Sequence, residues 1–232
     1  MERADDSGVS TGLAAILSSV ARQLQAEPDV ESTLAAIVKA AMDHIPGAEL
    51  AGISLVTEGE IRTVAPTDAL VGEVDRLQYE TKEGPSVDAI ALHETFKTGD
   101  LAMEERWPSF APEAVRRGIR SMLAYRLFVT ETTMGSLNLY SSRRNAFDEA
   151  AMNEGKLFAS HAAIALVGAQ TEAQLEAAIE SRDLIGMAKG LLMQRHDLDP
   201  TAAFRMLTEA SQASNMKVRD IAAWLVAHRR EI

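Results

Sequence analysis

Residues 148–195 read DEAAMNEGKLFASHAAIALVGAQTEAQLEAAIESRDLIGMAKGLLMQR, a stretch without proline and rich in alanine. Only isolated glycines interrupt its helical preference, so it predicts one long helix or two nearly continuous ones. Leu175, Ala178, Ile185 and Leu192 fall at three- and seven-residue steps, the spacing of a coiled-coil seam about three heptads long that Arg182 interrupts. That pattern suits a parallel dimeric coil and equally a single helix packing on its own module. The stretch divides the chain into unlike halves.

N-terminal to it the period changes twice. Leu13, Ile16, Leu17, Val20 and Leu24, then Leu34, Ile37, Val38, Ala41 and Ile45, recur at helical spacing until Pro46-Gly47 stops the second run. Ala51, Ile53 and Leu55 then alternate with Gly52, Ser54 and Val56, Glu58-Gly59 offers a turn, and 61–65 return as a partner strand. A middle punctuated by Gly and Pro follows, with short helices opening at Gly84-Pro85 and Trp107-Pro108. Leu123, Tyr125, Leu127 and Val129 share one strand face, 130–133 turn, and Leu137 and Leu139 lie on one face of the return. Strands set among helices predict a mixed α/β module ending near residue 168.

C-terminal to it everything reads as helix. Asp199-Pro200 is a start signal, since aspartate accepts the free amide hydrogens and proline suits the first helical position. Ala203, Phe204, Leu207, Ala210 and Ser211 are the expected buried face. Asn215 ends that helix or caps the next, in which Val218, Ile221, Ala222 and Leu225 point inward. Three helices, over 180–195, 200–214 and 217–230, would close a small bundle.

Composition narrows the chemistry. The 232 residues have room for one large domain or two modest ones, and 47% hydrophobic with 25% charged residues exclude wholesale disorder. No apolar run reaches a membrane span and the start, Met1-Glu2-Arg3-Ala4-Asp5-Asp6, is unlike a signal peptide, so a cytoplasmic protein with no membrane partner is expected. Zero cysteine removes disulfides, thiolate nucleophiles and cysteine-ligated metals. His44, His93, His161, His196 and His228 are too dispersed for a metal motif, and Ser54, Ser86 and Ser136 have no nucleophile context. No catalytic or metal site is expected.

The formal charge of −11 argues against indiscriminate nucleic-acid binding, yet it is unevenly spread. Residues 182–230 hold eight basic against five acidic side chains, a net +3, which leaves −14 on the remainder. At 100° per residue, Arg182, Gly186, Lys189, Met193 and His196 form a stripe beside the apolar arc of Leu184, Ile185, Ala188, Leu191 and Leu192. Gly186 and Gly190 each cost a helix about 1 kcal/mol against alanine, so a close approach is expected there. Helix packing explains Gly190 best, and Gly186 sits on the basic stripe. In the last helix Arg219, Ala223, Val226 and Arg230 line a second stripe, with Lys217 at its entrance. Such edges suit phosphate contacts.

Two segments carry a family resemblance. Ser181–Met193 (SRDLIGMAKGLLM), followed by AAFRML from Ala202 and by Ser211-Gln212 and NMKVRDIA from Asn215, closely resembles the ANTAR domain over roughly 50 residues, with the motifs in order and at the family's spacing. Residues 12–168 resemble the GAF domain that precedes it in actinobacterial proteins of this layout, through EGPSVDAI from Glu83, RWPSFA from Arg106, GIRS from Gly118 and GSLNLYS from Gly135. The implied fold is an α/β GAF sensor domain, its antiparallel-type sheet flanked by helices, followed by an all-α three-helix ANTAR bundle and joined by a long helix. The implied layout is a flexible 1–11, a GAF domain over 12–168, a helical coiled-coil linker over 169–181 and an RNA-binding ANTAR domain over 182–232.

The resemblance implies a transcription antiterminator, not an enzyme. Its bundle would bind paired hairpins with six-nucleotide loops in nascent mRNA leaders, prevent a terminator from forming, and touch RNA polymerase only indirectly. A homodimer is implied, with the GAF module as its sensory or dimerising part. Carried over by position, Lys189, Lys217, Arg219, Ser211 and Asn215 approach RNA, with Gly186 keeping backbone accessible; Arg182 joins them from the stripe alone. Ala188, Phe204, Leu207, Ile221 and Leu225 are then scaffold, and Trp224 suits core packing better than base stacking. The chain departs from the GAF pattern at Ser86, where related proteins often carry cysteine, which argues against thiol-based sensing; no cofactor or GAF ligand is identified. The rival readings are a DNA-binding regulator, a GAF-borne catalyst, and a small-molecule-sensing module whose terminal helices bind a protein.

Overall fold

The structure is a computed structural model and describes residues 18–57, 59–92, 94–129 and 132–229. Leu13, Ile16, Leu17, Glu58, His93, Thr130, Arg230 and the expected flexible segment 1–11 lie outside the described residues. The chain divides into two units, Met1–Gln170 and Thr171–Ile232.

In the first unit, helical residues 18–25 (α1) lead into α2 (Val30–His44). Asp29 starts α2 by accepting the Ser32 amide hydrogen at 2.7 Å, a cap of about 1 kcal/mol. Five strands follow: β1 (Leu50–Thr57), β2 (Glu60–Val64), β3 (Phe96–Thr98), β4 (Ser121–Val129) and β5 (Thr132–Ser141). They pair antiparallel in the order β2-β1-β5-β4-β3. The alternation expected in β1, β4 and β5 is present. Ile53, Leu55, Leu123, Tyr125, Leu127, Leu137 and Leu139 face one core with Leu34, Ile37 and Val38 of α2 and with Phe158, Ala162 and Leu166 of α6 (Glu149–His196).

The opposite face is covered by α3 (Ala69–Thr81), α4 (Pro85–Leu92) and α5 (Ala111–Arg116), with Val71, Val74, Leu101, Trp107, Phe110, Met122 and Tyr140 as its apolar core. Two quoted motifs meet here. Trp107 Nε1 donates to Asp88 at 2.8 Å, and the Glu83 carboxylate accepts from the Ser109 and Phe110 amides at 2.7 and 3.1 Å, tying EGPSVDAI to RWPSFA. A Cβ on Gly135 would overlap Ser54 O, so only glycine lets β5 lie this close to β1.

Neither α3 nor β3 was expected. Asp68 caps α3 on the Leu70 amide, but the face it buries is Val71, Val74, Asp75 and Gln78. Half of that stripe is polar, so the apolar period that betrays a helix is missing. β3 has three residues, too few to alternate.

The second unit consists of the rest of α6 with α7 (Pro200–Ser214) and α8 (Val218–Ala227). Ala188, Leu192, Ala203, Leu207 and Ala222 are its buried core, flanked by Leu184, Ile185, Ile221 and Leu225. Asp199 starts α7 by accepting from both Thr201 and Ala202 amides at 2.8 Å. Asn215 ends α7 in the left-handed region at φ 55°. The α8 cap position is Lys217, whose side chain makes no capping bond.

Candidate functional site

Three residues of the expected RNA face come together on α6. Arg182 and Gly186 are exposed and Lys189 is half-buried, and all three line one groove with Ala178, Ser181, Ile185 and Phe204. The groove has a volume of about 630 Å³. A Cβ at Gly186 would meet nothing within 4 Å. The same is true of Gly190, which corrects the expectation that helix packing requires a glycine there.

Phe204 also departs from expectation. α7 buries Ala203 and Leu207, four residues apart, and the ring of Phe204 stands at the margin of that stripe, 43% exposed. Lys189 Nζ lies 6.0 Å from its centroid, within cation–π range. Ala210, expected inside, is exposed. Spacing alone placed Phe204 in the core because it sits one residue from the true stripe.

The other expected residues gather at the α7–α8 corner and do not line the groove. The Ser211 hydroxyl donates to Met216 O at 2.5 Å, closing the turn. Asn215 and Lys217 are exposed. Arg219 is exposed with Nε 3.2 Å from Asp220 Oδ1. Trp224, expected in the core, is 53% exposed and stacks on His228 with centroids 4.6 Å apart. Its own turn explains this, since Ala222 is the α8 residue that enters the core. Ahead of the bundle, every residue of 171–180 is exposed, Leu175 and Ile179 each at 61%.

The first unit holds a second constellation, on the sheet face under α3 and α4. Ser54, Asp75, Gln78, Ser86, Ser136, Asn138 and Tyr140 are buried there together. Asp75 accepts from the Tyr140 hydroxyl, from Thr63 Oγ1 at 2.9 Å and from Gln78 Nε2 at 3.0 Å. The Ser54 hydroxyl lies 2.6 Å from Tyr79 OH and 2.8 Å from Ser86 Oγ, which is 2.9 Å from Ser136 Oγ; Thr63 Oγ1 is 2.9 Å from Tyr79 OH. Asn138 Nδ2 donates to Ser54 Oγ at 2.8 Å, and Asn138 Oδ1 has no hydrogen-bond partner among the described residues. Burial pushes the Asp75 carboxyl up to about 6 against the pull of those donors, and raises the Tyr140 and Tyr79 hydroxyls further. The three serines without a nucleophile context are thus structural partners of one another. No group of three His, Asp or Glu able to hold a metal ion occurs among the described residues.

Residues 27–167 match the family model of the GAF domain, more than half of the chain, which therefore belongs to that family. Residues 173–226 match the ANTAR domain, so the architecture is that of a GAF–ANTAR antiterminator. An ANTAR domain implies an RNA-binding antitermination regulator, and the GAF domain its sensory part.

Among solved structures, the GAF domain of a phosphoenolpyruvate-protein phosphotransferase from Coxiella burnetii is 18% identical over 70% of this chain and 96% of that one, with a TM-score of 0.58. The free methionine-R-sulfoxide reductase of Neisseria meningitidis is 16% identical over 74% and 96%, with a TM-score of 0.55. The corresponding GAF domain from Acinetobacter is 14% identical over 68% and 94%, with a TM-score of 0.54. These likenesses show the fold alone, and a reductase activity does not transfer with it. No curated protein matches the chain. Among the described residues no helix is long and apolar enough to cross a membrane.

Proposed function

We propose that this protein is a homodimeric antiterminator of the cytoplasm whose C-terminal unit, over 182–232, binds two paired hairpins with six-nucleotide loops in nascent mRNA and keeps a competing terminator from forming. Residues 12–168 act as the sensory or dimerising GAF module, and 169–181 as a helical linker. The observation that carries the RNA reading is the cationic groove on α6, where Arg182 and Lys189 flank a glycine whose side-chain position is open. Lys217, Arg219, Ser211 and Asn215 form a second contact area at the α7–α8 corner.

The unbroken exposure of 171–180, with Leu175 and Ile179 uncovered, supports a second copy along this part of α6. Two linked bundles make the second hairpin contact intramolecular, which raises avidity without new contacts. The test is a gel shift of the full chain with two-hairpin RNA, single-hairpin RNA and duplex DNA. Two-hairpin RNA is expected to bind at least tenfold more tightly than one hairpin. Equal or tighter binding of duplex DNA overturns the RNA reading in favour of the DNA-binding one.

A further inference from the structure

Phe204 exposes its ring in a unit only 62 residues long, 171–232, where apolar surface for a core is scarce. Removing that ring from water would stabilise the unit, yet α7 turns Ala203 and Leu207 inward and leaves Phe204 at the groove. The groove wall beside it is equally unusual. Gly186 weakens α6, and nothing in the described chain needs its bareness, because the space where a Cβ would stand is open. Arg182 and Lys189, seven residues apart and about 10 Å along the helix axis, bracket the opening.

A ring 43% exposed whose face is shared with Lys189 Nζ at 6.0 Å, a bare stretch of helix and two flanking cations match the parts of one nucleotide in a single strand, once the flexible lysine chain leaves the ring for a phosphate. A base has a π-face for the ring, and its neighbouring phosphates have charge for the cations. The volume of about 630 Å³ lies within the range of small-ligand sites. A second copy of the chain fits this position less well. In a parallel pair Arg182 and Lys189 would face their own equivalents, and like charges at a seam repel.

We propose that Phe204 is the stacking platform for one unpaired loop base of the bound RNA, with Lys189 and Arg182 holding the phosphates on either side and the nucleotide passing over Gly186. This rests on the RNA-binding reading above and adds the residue that reads the loop as a single strand.

The test uses the full chain, a two-hairpin RNA, and copies of that RNA with an abasic nucleotide at each loop position in turn. Phe204→Leu is expected to weaken binding by roughly 5- to 150-fold, and Phe204→Trp to bind at least as tightly as the wild type. One abasic position should weaken the wild type and leave F204L no weaker than it already is. The salt dependence of F204L should match that of the wild type, because no charge is removed. In K189A the slope of log K against log salt should be shallower by about 0.7 to 0.9.

Wild-type affinity in F204L, or an abasic series in which no position cancels the effect of F204L, overturns the proposal while leaving RNA binding in place. The abasic series on the wild type and the F204W variant do not depend on F204L folding. Loss of self-association in F204L with RNA affinity intact assigns the groove to a second copy and also overturns it. If the wild type binds no folded RNA at all, the underlying reading fails, a result distinct from the others.

Discussion

Asp75 has a wholly buried carboxyl that forms no salt bridge among the described residues and takes hydroxyl and amide donors instead. Its ordinary value in an unfolded chain is near 4 and in the fold it is about 6, so between those values the native state holds the extra proton. Stability contributed by this group is present below about pH 4 and is lost as pH rises to 6, on the order of 3 kcal/mol. Glu49 and Glu104, held near 2 by the Ser142 amide and by Arg106 respectively, act with the opposite sign at lower pH. Denaturant unfolding at pH 4.5 and 7.5 should therefore show the wild type losing stability relative to Asp75→Asn; parallel behaviour would exclude Asp75 as the titrating group. Tyr140→Phe removes one donor from the same carboxylate and is expected to destabilise by about 1 to 3 kcal/mol at pH 7.5, measured the same way.

At the scale of elements, α6 is unusual because every residue of 171–180 is exposed. Leu175→Glu and Ile179→Glu lie at exposed positions, so the folded subunit should be unchanged within about 0.5 kcal/mol. Sedimentation should nevertheless show a monomer in place of the proposed wild-type dimer; a monomeric wild type overturns the dimer, and an unchanged dimeric mass places its contact elsewhere. α7 offers a simpler check. Asp199→Ala removes the acceptor of two amide hydrogens, and thermal unfolding should register a loss of about 1 kcal/mol. Two kinds of element were legible from sequence: those with one consistently apolar face (α2, β1, β4, β5 and the bundle), and β2, α4 and α5, announced by the turn residues Glu58-Gly59, Gly84-Pro85 and Trp107-Pro108. α3 was illegible because its inward stripe carries Asp75 and Gln78 to a polar network, and no local pattern announces a partner such as Tyr140, 65 residues away.

For the molecule as a whole, charge separates the two parts of the chain: −14 lies outside 182–230, and +3 within it. The acidic part disfavours loose adsorption to any polyanion, and the few cations of the groove and corner set a modest salt dependence. The Arg182–Gly186–Lys189 group was legible because all three lie on one helix, where angle can be computed from numbering. Phe204 was not, since its relation to Lys189 is made between two helices, and the serine cluster was not, since Ser54 and Asn138 meet across 84 residues. Arg182→Ala, at the groove's far end, should weaken binding of two-hairpin RNA uniformly over loop sequences and flatten the salt slope by about 0.7 to 0.9; sequence-selective loss would give it a base-reading role.

The hydroxyls under α3 and α4 each have a single hydrogen, and this fixes their direction. An ionised Asp75 takes the hydrogen of Thr63, which must then accept from Tyr79; Tyr79 accepts from Ser54, Ser54 from Ser86, and Ser86 from Ser136. Five O–H bonds stand head to tail, each strengthening the next. The junction of β1, β5 and α4 thus carries a line of aligned hydroxyl dipoles, all pointed toward one carboxylate.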